Sequence, residues 1–175
     1  MLIFLIGFMG SGKSFCGKKI AAALNYPFFD LDQEIEAAQK QQVSEIFSQK
    51  GEMGFRQIEA EQLRKLINNF SSAYPQHNAV IACGGGTPCF HDNMQFMNQH
   101  GLTVWISPSL DTLTNRLKLE KDHRPLIANL NDAALKTYIA EKMSEREVFY
   151  RQAQIIDASG DCPLHTIEKK LYNAQ

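Results

Sequence analysis

The stretch Leu2-Ile3-Phe4-Leu5-Ile6-Gly7-Phe8-Met9-Gly10-Ser11-Gly12-Lys13-Ser14 decides the fold. Its second part, from Gly7, satisfies G-x-x-x-x-G-K-[ST] at every fixed position. Its first part is an unbroken apolar run, as expected of a strand buried on both faces. Phe15 to Leu24 follow without a proline and read as a helix. Strand, glycine-rich turn and helix together turn the pattern into a phosphate cradle. Glycines let the backbone approach a ligand, loop N–H groups converge on phosphate oxygens, and the positive end of the helix adds attraction. In such a loop Lys13 reaches the β- and γ-phosphates and Ser14 offers a hydroxyl to Mg²⁺.

Composition narrows what surrounds this loop. A chain of 175 residues has the size of one domain. Its 44% hydrophobic content is ordinary for a globular protein. A formal net charge of −1 argues against a protein that coats nucleic acid or an anionic membrane. No apolar run approaches the roughly 20 residues that span a bilayer. The N-terminal apolar stretch lacks a basic flank and reads as a strand rather than a signal peptide. Cys16, Cys83, Cys89 and Cys162 show no metal-ligand spacing, so reduced thiols in a cytoplasmic enzyme are expected, with Cys16 and Cys83 as small buried residues.

Further along, Phe28-Phe29-Asp30-Leu31-Asp32 reads as a strand end with two carboxylates at its tip. Ligands of open α/β sheets gather outside the carboxyl ends of the strands, where the phosphate loop also opens. Asp30 and Asp32 therefore suit metal binding and general-base work. Either one also suits the N-cap of a helix from Gln33 onward. Short helical pieces, Glu34 to Ala38 and Val43 to Phe47, lead to Gly51, and a longer helix runs from about Gly54 to Phe70. Arg56 and Glu59 share one face of it. An exposed pair there contributes little, whereas an arginine near Asp32 suits an acidic or hydroxylated substrate.

Ala79 to Cys83 is the next buried strand and ends in Gly84-Gly85-Gly86-Thr87-Pro88, which permits a close backbone approach to a ligand. A helix over Met94 to His100, a strand over Leu102 to Ile106 and a helix from Ser109 follow. The charged segment Lys118 to Asn129 is either a solvated loop or a basic lid over transferring phosphates. A long helix capped by Asp132 carries Arg146 and Tyr150. Ala153 to Asp157 is the last strand and Pro163 opens the last helix. Five strands alternating with helices imply an α/β fold with a parallel sheet covered on both sides.

Taken together, GFMGSGKS, FFDLDQEIE, EIF, GFRQIE, CGGGTP, HRPLI and SEREVFYRQA resemble shikimate kinases over nearly the whole chain. The resemblance implies a three-layer P-loop NTPase fold in one domain, with a substrate-binding helical insert at about 31–60 and a lid at about 110–128. It implies ATP as co-substrate, Mg²⁺, and phosphorylation of the 3-hydroxyl of shikimate. Gly10, Ser11, Gly12, Lys13, Ser14 and Phe15 would hold the phosphates, and Ser14 and Asp30 would serve Mg²⁺. Asp32 matches the acidic residue proposed as base. Arg56, Gly84, Gly85, Gly86 and Arg146 match positions around shikimate, with Phe47 and Phe55 lining its pocket. Arg124 matches the lid arginine that reaches the ATP phosphates, and Arg116 is the candidate against adenine. A cytoplasmic monomer without nucleic-acid or membrane partners is the family expectation. Two places depart from the family pattern. Phe15 stands where threonine is common, and Asp161-Cys162-Pro163 stands where some members place a basic residue. Other readings are a different small-molecule kinase such as a gluconate kinase, a nucleoside monophosphate kinase, or a non-catalytic nucleotide-binding module.

Overall fold

The computed structural model describes residues 1–73, 78–120, 127–159 and 162–172, the side chains of 71–73 excepted. Among the described residues the sheet has five parallel strands in the order β2-β3-β1-β4-β5. These are β1 (Leu2–Ile6), β2 (Phe28–Asp30), β3 (Ala79–Ala82), β4 (Gly101–Ile106) and β5 (Ile155–Asp157). The helices are α1 (Lys13–Leu24), α2 (Leu31–Gln39), α3 (Val43–Ala73), α4 (Asn93–His100), α5 (Leu110–Leu119), α6 (Asp132–Tyr150) and α7 (Leu164–Tyr172). A short 3₁₀ turn covers Thr87–Cys89.

β1 explains why the apolar run is continuous. It is central, pairing Leu2 with Ala79 on one side and with Gly101 on the other. Alternate side chains then serve opposite layers. Ile3 and Leu5 pack with Cys16 and Ile20 of α1 and Ile167 of α7. Leu2, Phe4 and Ile6 pack with Leu63 and Phe70 of α3 and Met94 and Met97 of α4. A third cluster, Phe8 with Leu113, Leu117, Leu135 and Ile139, supports the phosphate loop from α5 and α6. Fully burying one such side chain is worth about 1.5–3 kcal/mol, so the loop rests on a firm floor. The chain winds to one side of β1 for β2 and β3, then crosses to the other for β4 and β5. Crevices at such a reversal are where α/β sheets bind ligands.

Three local expectations change. The helix after β2 begins at Leu31 rather than Gln33, because Asp30 has extended backbone and its Oδ1 accepts from the Asp32 amide at 3.2 Å. Asp30 is thus the cap, and Asp32 lies in the first helical turn instead of on the strand. α6 is capped by Asn131, whose Oδ1 accepts from the Ala134 amide at 2.9 Å. Asp132 sits in the first turn and pairs with Lys118 at 2.9 Å. The last strand is also shorter than expected, starting at Ile155. The break at Gly51 is present, as a non-helical residue within α3.

Candidate active site

The phosphate loop is the first component. Gly7, Gly10 and Gly12 all have positive φ, of 139°, 74° and 97°, which side-chain-bearing residues rarely adopt. Gly12 is the N-cap of α1 and no side chain caps that helix. Its first-turn amides are therefore not taken up by a capping side chain, the arrangement that suits an anion. Lys13 Nζ folds over the loop, donating to the carbonyls of Gly7 at 2.9 Å and Phe8 at 2.8 Å. Arg116 braces the loop from α5, its Nη1 donating to the carbonyls of Gly10 at 3.3 Å and Ser11 at 3.1 Å.

β2 delivers the carboxylates to the same place. Ser14 Oγ donates to Asp30 Oδ2 at 2.6 Å. Asp32 is half-buried, and its carboxyl is pushed up from 3.8 to about 6. Burial is the largest cause, followed by the negative charges of Glu59 and Asp30, while Lys13 and Arg56 pull the other way. An acid tuned towards neutrality both accepts and returns a proton readily. A cleft of about 820 Å³ joins Lys13, Ser14, Asp30, Asp32, Gly85 and Arg116.

α3 supplies the other wall. Arg56 is 6% exposed and Glu59 is fully buried, so the pair is not the solvated surface contact that its spacing alone allows. Arg56 Nη1 donates to Glu59 Oε2 at 2.8 Å and Nη2 to Glu52 Oε1 at 3.2 Å. Burial opposes the charge on Arg56, but Glu59 and Glu52 outweigh it and raise the pKa. The guanidinium is packed by the rings of Phe90, Phe55 and Phe47, with its Cζ 4.9, 5.2 and 5.7 Å from their centroids. Its Nε is buried and has no partner among the described residues. Phe47 and Phe55 stack with centroids 4.4 Å apart.

The glycine run threads between these groups. A Cβ on Gly84 would lie 2.7 Å from Glu59 Oε1 and 3.2 Å from Asp32 Oδ1. One on Gly86 would collide with the Arg56 guanidinium. The run is therefore a requirement of close approach, not merely of turning. A Cβ on Gly85 would stand 3.5 Å from Arg146 Nη1, which places Arg146 of α6 over the run. Arg146 also lies against the Phe8 ring, 5.3 Å from its centroid.

The structure thus brings together Gly10, Ser11, Gly12, Lys13, Ser14, Phe15, Asp30, Asp32, Gly84, Gly85 and Arg116 in one cleft, with Phe47, Phe55, Arg56, Gly86 and Arg146 flanking its acceptor end. Arg124 lies outside the described residues, as do Asp161 and the rest of 121–126 within the expected lid segment. Arg116, the candidate against adenine, lines the cleft and is hydrogen-bonded to the loop carbonyls. Three supporting residues were not singled out by sequence reasoning. Thr87 Oγ1 donates to Glu59 Oε1 at 2.6 Å, and Asn93 Nδ2 donates to the Thr87 carbonyl at 3.0 Å. Tyr150, fully buried, donates its hydroxyl to the Gly85 carbonyl. Tyrosine on α6 at the turn before β5 was the one visible signal; Thr87 and Asn93 look like ordinary turn residues in sequence.

Cysteine chemistry plays no part in this arrangement. Cys16 and Cys83 are buried, and all four thiols are free. Burial raises the Cys83 thiol and pushes Cys16 up to about 12 and Cys89 to about 11. Such thiols are poor nucleophiles at neutral pH.

A sequence model of the shikimate kinases matches residues 9–172. The chain belongs to the shikimate kinase family. It is 42% identical over 154 residues to the shikimate kinase of Bacteroides thetaiotaomicron, covering 88% of this chain and 84% of that one. A crystal structure of shikimate kinase from B. thetaiotaomicron superposes with a TM-score of 0.85 at 36% identity, covering 99% of this chain and 97% of that one. The shikimate kinase of Acinetobacter baumannii, solved in complex with shikimate, superposes with a TM-score of 0.80 at 27% identity, covering 99% and 92%. Membership of this family sets aside the gluconate kinase, nucleoside monophosphate kinase and non-catalytic readings. The three-layer P-loop fold expected from the motifs is the one found.

Proposed function

We propose that this chain moves the γ-phosphoryl group of ATP to the 3-hydroxyl of shikimate, giving shikimate 3-phosphate and ADP. The observation that carries this reading is the meeting, in one cleft, of Lys13 from the phosphate loop with Asp32, beside an arginine buried among aromatic rings. A loop alone binds phosphate. An acid of raised pKa next to it gives the phosphate an acceptor hydroxyl to meet. A buried, oriented guanidinium gives that acceptor's carboxylate a partner.

In this reading the amides of Gly10 to Ser14 and the Lys13 ammonium hold the phosphates, and Phe15 continues the loop's contact. Arg56 and Arg146 hold the shikimate carboxylate, against Phe47 and Phe55 and the backbone of Gly84 to Gly86. Asp32 accepts the proton of the 3-hydroxyl as its oxygen attacks the γ-phosphorus. The bond from that phosphorus to the β–γ bridging oxygen breaks, and ADP leaves. Most of the acceleration then comes from positioning and charge stabilisation. Residues 31–60 act as the acceptor-binding insert of a single domain, and residues 110–128 as the lid, with Arg124 reaching the phosphates. Arg116 shapes the loop and borders the nucleoside.

Ser14 and Asp30 fit a hard cation. Both present oxygen atoms at the loop, and a site of one or two carboxylates completed by phosphates is the usual Mg²⁺ arrangement. Their own hydrogen bond shows that they share one small volume. Mg²⁺ bound there would neutralise negative charge on the phosphates. We further propose a monomer of the cytoplasm. Four free thiols support a reducing compartment, and no described helix is long and apolar enough to cross a membrane.

The test is a coupled ADP-release assay across shikimate, gluconate and several nucleoside monophosphates. ADP release is expected to depend on shikimate. Faster turnover on gluconate or on any nucleoside monophosphate would overturn the assignment.

A further inference from the structure

One side chain of the cleft has no task in the phosphoryl transfer just described, although its backbone continues the loop. Phe15 follows Ser14 directly, where a small hydroxylated residue would serve the loop equally well. Of the eleven phenylalanines in the chain it is the one left mostly in water, at 62% exposure. It is also the only aromatic among the described residues that line the cleft. Its ring is not loose. Lys19, one turn further along α1, sets its ammonium 4.3 Å from the ring centroid, covering one face.

Its position along the cleft is informative. The loop amides and Lys13 fix the phosphate end, and Asp32 marks the direction of the acceptor. The rest of a nucleotide must leave the loop the other way. That end of the cleft is lined by Phe15 and Lys19 of α1, Arg116 and Glu120 at the end of α5, and Cys162 and Leu164 at the start of α7. Among these the flat apolar surface is Phe15. A base has a π-face whatever its hydrogen-bonding edge, so an aromatic platform holds it without reading it.

We propose that Phe15 is the nucleobase platform of this kinase, its ring meeting the base of the ATP whose phosphates the loop holds, with Lys19 steadying the opposite face. The inference rests on the ATP reading above. It gives this chain an aromatic grip on the nucleoside next to the phosphate loop. It also accounts for Arg116 being engaged with the loop carbonyls: with a platform on α1, that guanidinium is free to brace the loop.

Equilibrium binding by calorimetry separates the base from the phosphates. Wild type, Phe15→Ala and Phe15→Tyr are each titrated with ATP, CTP and inorganic tripolyphosphate in the presence of Mg²⁺. Phe15→Ala is expected to raise the Kd for ATP about five- to tenfold, the low end of base–aromatic stacking because the ring is partly in water. The Kd for CTP should rise less, since a pyrimidine covers less of the ring. Tripolyphosphate should change by less than about twofold, and Phe15→Tyr should keep ATP affinity. An unchanged ATP Kd in Phe15→Ala overturns the inference alone, as does an equal loss for tripolyphosphate, which would trace the effect to the loop. A wild type that binds tripolyphosphate but not ATP overturns it together with the ATP reading. Because the ring is exposed, Phe15→Ala is expected to leave the melting temperature nearly unchanged, checked by thermal melting.

Discussion

The two ends of the cleft are built on opposite plans. The phosphate end is nearly all backbone. Eight consecutive residues make it, its glycines hold positive φ, and its one charged residue, Lys13, rests on neighbouring carbonyls. The acceptor end is nearly all side chain. It gathers Asp32 from α2, Arg56 and Glu59 from α3, Gly84 to Thr87 from the turn after β3, and Arg146 and Tyr150 from α6. The first end binds a group that every nucleoside triphosphate carries, and local geometry suffices for it. On the proposed reading the second recognises one small acid, and it is built from charges taken out of water and therefore dependent on one another. Burying ions costs more than pairing them returns unless each hydrogen bond is made. The network Asn93–Thr87–Glu59–Arg56 makes most of them, with Arg56 Nε left without a partner among the described residues.

If that contrast is right, damage at the two ends should look different. The largest effect is expected from Lys13→Ala. Phosphoryl transfer should fall about a thousandfold or more, as for loss of a transition-state electrostatic contact, while the melting temperature barely moves. Wild-type-like turnover in the ADP-release assay would remove the phosphate end from the mechanism.

Next comes Asp32→Asn, with kcat lowered about a hundredfold or more and ATP affinity kept. Loss of ATP binding instead would move Asp32 to the metal side. The same substitution carries a stability signature of opposite sign. Asp32 has a raised folded pKa, so between about 3.8 and 6 the folded protein holds more protons than the unfolded chain. Stability therefore falls as pH rises through that window. Moving from 3.8 to about 6 corresponds to roughly 3 kcal/mol at neutral pH. Asp32→Asn should thus raise the melting temperature at pH 7–8 and lose that advantage below about pH 4. In the wild type, kcat/KM for shikimate should fall as pH drops through about 6, the acid limb of the base.

The smallest catalytic effect but the largest structural one is expected from Arg56→Ala. KM for shikimate should rise about tenfold or somewhat more, the lower end of losing a buried charged hydrogen bond, ~1.5 kcal/mol, with KM for ATP nearly constant. A rise confined to ATP would show that Arg56 does not serve the acceptor. Stability should drop by about 3–5 kcal/mol, because Glu59 is left buried without its cation. The phosphate end has no counterpart to this coupling of recognition with folding.

Legibility follows the same division. The loop, the five strands and the cluster of motifs at one sheet edge were readable because each depends on residues close in sequence or on a periodic pattern. Asp30 was readable as a cap or a site residue; it is the cap, and its second carboxylate oxygen accepts from Ser14. The 56–59 spacing was readable too, but not its burial. Whether an arginine and a glutamate three apart face water or a core depends on what packs over them, here Phe47, Phe55, Phe90 and the glycine run. Thr87 and Asn93 carry no local signature, and the partner of Tyr150 lies 65 positions away.

The sequence by itself therefore determined the sheet, the phosphate loop and the family, through glycine stereochemistry, apolar continuity and motif order. Only the tertiary structure decided the charge state of the acceptor end. The raised pKa of Asp32 and the buried Arg56–Glu59 pair arise from burial and from charges contributed by separate elements. Electrostatic energies depend on distance and on excluded water, and neither quantity exists until the chain has folded.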